Sequence, residues 1–158
     1  MNSIKLFENK QIRSYWHEEE EQWYFSVVDI VEALSDSVNP TDYLKKLRKR
    51  DSNLGNYLGT NCPQVDMFTN GKKRKTLAGT VKDIFRIIQS IPSPKAEPFK
   101  QWLAKVGYER MQEIQDPAMS LDRARENWQK IGRSEKWIQQ RMTGQEMLCI
   151  QQQQNIFF

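Results

Sequence analysis

Apolar and polar positions alternate with strand-like spacing near the start of the chain and repeat with helical spacing further on. Short segments of strand character lie at 4–7, 12–16 and 23–25, separated by a polar turn at 8–11 and an acidic turn at 18–21. Aromatic and β-branched segments divided by polar turns are typical of hairpins. The pattern therefore predicts a small antiparallel sheet in this region.

Two helices joined by a short turn are predicted next. Ser26 and Asp29 form a capping-box-like pattern, in which the acid reaches back to the cap, and apolar residues then recur at the spacing of one buried helical face. These residues are Val27, Ile30, Val31 and Leu34. After a turn at 36–38, Asn39 is the predicted N-cap of a second helix at 40–50. Helices separated by three or four residues have the spacing of a helix-turn-helix.

A loop and a hairpin are predicted after the second helix. The segment 51–63 holds three Asn and two Gly and is interpreted as a loop. Asn70 and Gly71 separate strand patterns at 65–69 and 73–77, and this pair favours a type I′ turn because both central residues need positive φ. A helix-turn-helix followed by a hairpin is the order of a winged helix. The predicted fold is α+β, with a small antiparallel sheet, a winged-helix-like helix-turn-helix and a helical C-terminal part.

The C-terminal half is predicted to be helical. An apolar helix capped by Thr80 and Asp83 is expected to run through the core. Further helices are predicted to start at 93–94 and 116–117, with an interruption at 132–134. The predicted organisation is a folded domain at 1–112, a helical extension at 113–145 and a low-complexity, disordered tail at 146–158.

Composition excludes several classes of protein. No apolar run approaches the roughly 20 residues of a membrane span, so no membrane partner is predicted and the chain is expected to be cytoplasmic. His17 is the only histidine, and Cys62 and Cys149 are the only cysteines. A zinc site needs about four such ligands at short spacing, so neither a metal nor another cofactor is predicted. No nucleophile elbow and no paired carboxylates are present either, and the chain is predicted not to be an enzyme.

Positive charge is concentrated in one stretch of sequence. Residues 41–75 hold nine Lys or Arg against three Asp, whereas the other 123 residues hold 15 basic and 17 acidic residues. A local basic patch suggests an anionic partner. Its cations, five in the helix 40–50 and four in the hairpin 65–77, are Lys45, Lys46, Arg48, Lys49, Arg50, Lys72, Lys73, Arg74 and Lys75.

The two basic elements suggest duplex DNA as the partner. The helix 40–50 has the recognition position of a helix-turn-helix, the element that enters the major groove. Lysines would contact phosphates, and Arg48 or Arg50 could read guanine edges. Because lysine lacks a planar fork, sequence preference should be modest. The alternative interpretation of the same charges is a solvated face that complements the helix dipole.

Two longer segments carry a resemblance to a known family. They are IKLFENKQIRSYWHEEEEQWYFSVVDIVEAL at 4–34 and DIFRIIQSIPSPKAEPFKQWL at 83–103. Together with the elements between them, they resemble the Bro-N domain, the N-terminal domain of baculovirus BRO proteins and prophage antirepressors. The chain is also similar to bacterial DNA-damage-inducible protein D-like proteins. The resemblance implies a DNA-binding domain of a phage-derived regulator and supplies no catalytic residues.

Two functions from different classes stay open on the sequence. In the first, the domain binds duplex DNA as a transcriptional regulator. In the second, it acts as an antirepressor that binds a repressor or another regulatory protein through the helices of 94–142. A homodimer is compatible with either function.

Overall fold

The structure, a computed structural model of the chain, describes residues 12–144. The chain divides into two compact units, 1–102 and 103–158. The described part of the first combines a sheet with helices, and that of the second is helical. The predicted α+β class with a helical C-terminal part is therefore confirmed. The domain boundary at residue 112 stays a prediction, and the predicted strand at 4–7 and the tail at 146–158 lie outside the described residues.

The elements follow one another along the chain. They are β1 (Ser14–His17), β2 (Gln22–Ser26), α1 (Val27–Ser35), α2 (Pro40–Arg50), α3 (Ser52–Asn61), β3 (Gln64–Thr69), β4 (Lys72–Gly79), α4 (Val81–Ser90), a 3-10 turn (Pro94–Ala96), α5 (Glu97–Gln115) and α6 (Ala118–Lys130). Residues 135–144 are also helical.

The four strands form one antiparallel sheet in the order β1-β2-β4-β3. β1 pairs along its whole length with residues 22–25 of β2 across the acidic turn, as predicted for this part of the chain. β3 and β4 form the second predicted hairpin, and Asn70 and Gly71 have φ values of 50° and 75° at its turn. β2 joins β4 only through the pairs Phe25–Gly79 and Ser26–Ala78. The hairpin β3–β4 is therefore attached to the rest of the sheet at one end.

The core of the first unit lies among α1, α2, α3 and α4. The predicted apolar face of α1 is buried, and the Ser26 side chain caps the helix by accepting from the Asp29 backbone N–H. The full Thr80–Asp83 capping box is present at α4. Ile84, Ile87 and Ile88 of that helix are buried in the same cluster, so α4 runs through the core as predicted.

Residues 52–61 form the helix α3, so the loop predicted at 51–63 is wrong. The prediction rested on three Asn and two Gly, which are poor helix formers. Leu54 and Leu58, four residues apart, are fully buried in the core cluster, and the Asp51 side chain accepts from the Leu54 N–H at 3.0 Å. Tertiary packing of one apolar face outweighs weak local propensity in a helix this short.

We expect the stability of α3 to depend on the charge of Asp51. Its pKa is lowered, mainly because the carboxylate accepts from the Leu54 N–H, with further support from the Ser90 hydroxyl and the charge of Arg86. A lowered folded-state pKa means that this stabilisation is present above the unfolded value of about 4 and is lost as the pH falls through the folded value. Asp51→Asn should therefore lower the melting temperature at pH 7 more than at pH 3. An equal loss at both pH values would contradict this role for the charge.

Candidate nucleic-acid interface

The helix α2 presents its cations on the side opposite the core. It spans Pro40–Arg50 as predicted, with the Asn39 side chain accepting from the Asp42 N–H at its start. Leu44 and Leu47 are buried. With 3.6 residues per turn, the three lysines then lie on the opposite side and the two arginines at its flanks. All five cations of α2 are exposed.

The hairpin carries the second group of cations on β4, directly after its turn. All residues from 72 to 75 are exposed, although neighbouring strand residues point to opposite faces. Lys75 pairs with Asp66 across the hairpin at 3.2 Å, and Lys46 on α2 pairs with Asp42 at 2.8 Å. Exposed pairs of this kind are weak, so the lysines can exchange them for a stronger anion.

The helix α3 lies between the two basic elements in sequence and packs directly on α2. A Cβ added at Gly55 would lie 3.1 Å from the backbone oxygen of Arg48, a close contact that a side chain could make only if the neighbouring backbone shifted by a few tenths of an ångström. Only Cys62 and Pro63 separate α3 from β3. Burial raises the pKa of the Cys62 thiol to about 12; the charge of Asp83 also raises it, and that of Arg48 lowers it.

Arg13 ties the end of β3 next to the hairpin turn to the start of α1. Its guanidinium donates to both carboxylate oxygens of Asp29, at 2.7 and 2.8 Å, and to the Thr69 hydroxyl at 2.6 Å. The Ser26 N–H donates to the Arg13 carbonyl, so the back half of the capping box predicted for Asp29 is absent. The carboxylate is used instead to hold Arg13, and this contact is the main reason that the pKa of Arg13 is raised. The network fixes the hairpin against α1.

A family model described as the BRO family N-terminal domain matches residues 11–114. The match covers both basic elements and α3. The chain belongs to the BRO family. Membership implies a DNA-binding or antirepressor-type regulatory domain of the kind found in phages, and Bro-N is not an enzyme family. No match was found among curated proteins or among solved structures.

The exposure of Phe68 and the contacts of Arg13 in this Bro-N domain were not predicted from the sequence. Phe68 is 64% exposed on β3, and the ammonium group of Lys73 lies 5.8 Å from its ring centre. The exposure of Phe68 could have been predicted from the alternation of side chains along β3. Phe68 shares a face with exposed Asp66, whereas Met67, on the other face, is buried. Arg13 gave no such signal, since its partners Asp29 and Thr69 lie 16 and 56 residues away.

His17 has a structural role, and the described residues contain neither a cluster of metal ligands nor a membrane-spanning helix. The lone His17 accepts a hydrogen bond from the Glu20 N–H in the turn between β1 and β2. Within residues 12–144, no three His, Cys, Asp or Glu side chains are grouped closely enough to hold a metal ion. In the same range, no helix is long and apolar enough to cross a membrane.

Proposed function

We propose that this Bro-N domain binds duplex DNA with little sequence preference, as part of a prophage-type transcriptional regulator or antirepressor. In this proposal the binding domain covers 1–112, with 113–145 as a helical extension. The basic helix 40–50 meets the DNA at a groove, and the basic hairpin 65–77 follows the phosphate backbone. The observation that carries the proposal is the exposure of all nine cations of these two elements within one compact unit.

The chemistry of the nine cations suits phosphate binding. Of these side chains, only those of Lys46 and Lys75 form ion pairs with residues in the described part of the chain. The remaining ones can approach an anion without first breaking such a pair. Lysine acts as a mobile point charge, whereas Arg48 and Arg50 add planar forks that can bind a phosphate or a guanine edge through two hydrogen bonds. The expected result is salt-dependent affinity that varies little between sequences.

A salt titration tests this function. If about four to six phosphates are neutralised, the affinity for random-sequence duplex should fall with the logarithm of salt concentration at a slope of roughly −4 to −5. Fluorescence anisotropy with a labelled duplex measures the slope, and single-stranded DNA and RNA of the same length show whether the duplex is preferred. A slope near zero would contradict binding through phosphates.

A second function is favoured by an apolar surface on α5. Tyr108, Met111 and Ile114 are 62%, 62% and 67% exposed, and exposed apolar clusters often mark contacts with other proteins. The alternative proposal is an antirepressor that binds a repressor or other regulatory protein through this surface. Replacing the three residues by Ser separates the functions: it should leave DNA binding intact and, under the alternative, abolish relief of repression in cells. If the surface instead forms a homodimer, the triple Ser variant should sediment as a monomer.

A further inference from the structure

We propose that α3, rather than α2, enters the major groove, and that Asn53 and Asn56 read base edges there. The inference rests on the proposed binding of duplex DNA. It replaces α2 by α3 as the helix in the groove, and it adds a sequence preference that the cations of α2 would not give. The major groove of B-DNA is wide enough for one helix. If α3 occupies it, α2 lies along the phosphates at the edge of the groove.

The outer face of α3 is polar and uncharged. Leu54 and Leu58 are buried, and the helical repeat places five other positions on the opposite side. All five are exposed: Ser52, Asn53, Asn56, Gly59 and Thr60. α3 itself contains no Lys, Arg, Asp or Glu. Side-chain amides can bind adenine through two hydrogen bonds, and hydroxyl groups can bind several bases, so this face has the chemistry of base reading.

The amides of this face are available for an external partner. Among residues 12–144, no hydrogen bond engages the side chain of Asn53 or Asn56, whereas the Asn61 amide donates to the Tyr57 carbonyl and Asp51 caps the helix. Donor and acceptor groups exposed in this way are hydrated in the free protein. They can exchange that water for the edge of a base without breaking a contact inside the described fold.

Gly59 is a second and independent feature of the same face. A Cβ at this position would meet nothing within 4 Å, and its φ is not positive, so neither packing nor backbone conformation within the described fold requires glycine. Glycine in a helix is less stable than alanine by roughly 1 kcal/mol. At Gly55, by contrast, a Cβ would lie only 3.1 Å from the Arg48 backbone oxygen, so packing gives a reason for glycine there. A bare backbone on an exposed polar face suits close approach by the backbone of another molecule.

The surroundings of α3 supply the phosphate contacts that a helix in the groove needs. α2, which carries five exposed cations, packs against it where Gly55 approaches Arg48. The hairpin begins at Gln64, three residues after the last residue of α3, and carries its own cations at 72–75, after its turn. The outward residues of α2 are lysines, which bind phosphates well but read bases poorly. Affinity would come from α2 and the hairpin, and sequence preference from α3.

Selection of binding sites from a random duplex library tests which helix reads the bases. We expect the wild-type protein to enrich sites with adenine at defined positions. Asn53→Ala and Asn56→Ala should each lower the preference at one position by about fivefold to 150-fold, the range expected for one well-placed base contact. Affinity for unselected duplex and its salt slope should stay unchanged. If Arg48→Lys or Arg50→Lys alters a guanine preference while both Asn variants keep the wild-type site, α2 is the reading helix and the inference is overturned.

Gly59→Ala tests the close approach, with Gly107→Ala on α5 as the matched control. Gly107 is also an exposed helical glycine whose Cβ would meet nothing within 4 Å. Both variants should raise the melting temperature by about 4–8 °C. Only Gly59→Ala should also lose affinity for DNA. A stabilised Gly59→Ala protein with wild-type affinity would overturn the close approach.

The outcome for the wild-type protein separates this inference from the proposed function. A protein that binds every duplex equally, with the expected salt slope, would overturn base reading by α3 and support the proposed function. A protein that binds no duplex would overturn both.

Discussion

Replacing Lys45, Lys46 and Lys49 together by Glu is expected to lower the affinity for duplex DNA about a thousandfold at about 0.1 M salt. Each phosphate contact contributes about 0.9 to the salt slope, so the loss of one contact lowers the affinity by nearly a factor of ten at this concentration. Three contacts are lost in this variant. The three residues are exposed on α2 opposite its buried leucines, so their reversal leaves the core intact. The slope itself should become shallower by about 3. Anisotropy titrations at several salt concentrations measure both effects.

The matched control reverses three exposed lysines of the second unit. Lys105, Lys130 and Lys136 provide the same change in net charge outside the proposed interface. This control should bind DNA within a few-fold of wild type, because none of the three lysines belongs to the basic helix or the basic hairpin that the proposal assigns to DNA. Similar losses in both triple variants would show that net charge, and not the surface of α2, governs binding. Relief of repression that survives the α2 variant would favour the protein-binding alternative.

Arg13→Met is expected to lower the melting temperature by about 10–20 °C. The side chains of Arg13 and Asp29 are 31% and 11% exposed, so the substitution leaves a largely buried carboxylate without its main partner. Breaking a fully buried pair destabilises a protein by about 3–5 kcal/mol, and the partial exposure here reduces this to about 2–3 kcal/mol. For a domain of about 100 residues, that loss corresponds to the stated shift in melting temperature. Thermal unfolding followed by circular dichroism measures it.

Two further variants separate the contacts of Arg13. Thr69→Val removes only the hydroxyl that accepts from the guanidinium and should destabilise by about 1 kcal/mol. Arg13→Met combined with Asp29→Leu replaces both charges by apolar groups and should recover part of the stability lost in the single variant. If Arg13→Met alone melts within about 2 °C of wild type, the Arg13 network does not hold the hairpin to α1.

Features governed by neighbouring residues were predictable from the sequence. The start of α2 follows from Asn39 as N-cap and Pro40 at the first helical position. The hairpin β3–β4 follows from Asn70–Gly71, and α4 from the Thr80–Asp83 capping box. These rules relate residues only a few positions apart, so the sequence carries all the information that they need. The positions of the nine cations on α2 and the hairpin followed in the same way.

The sequence by itself determined the α+β class, the basic helix, the basic hairpin and their resemblance to the Bro-N domain. Only the tertiary structure decided that 52–61 is a helix, because burial of Leu54 and Leu58 in a core built from distant residues outweighs the weak propensity of Asn and Gly. It also decided the use of Asp29, whose carboxylate binds Arg13 16 residues away instead of completing a local cap. Both depend on which distant segments meet in the fold, and local spacing carries no information about that.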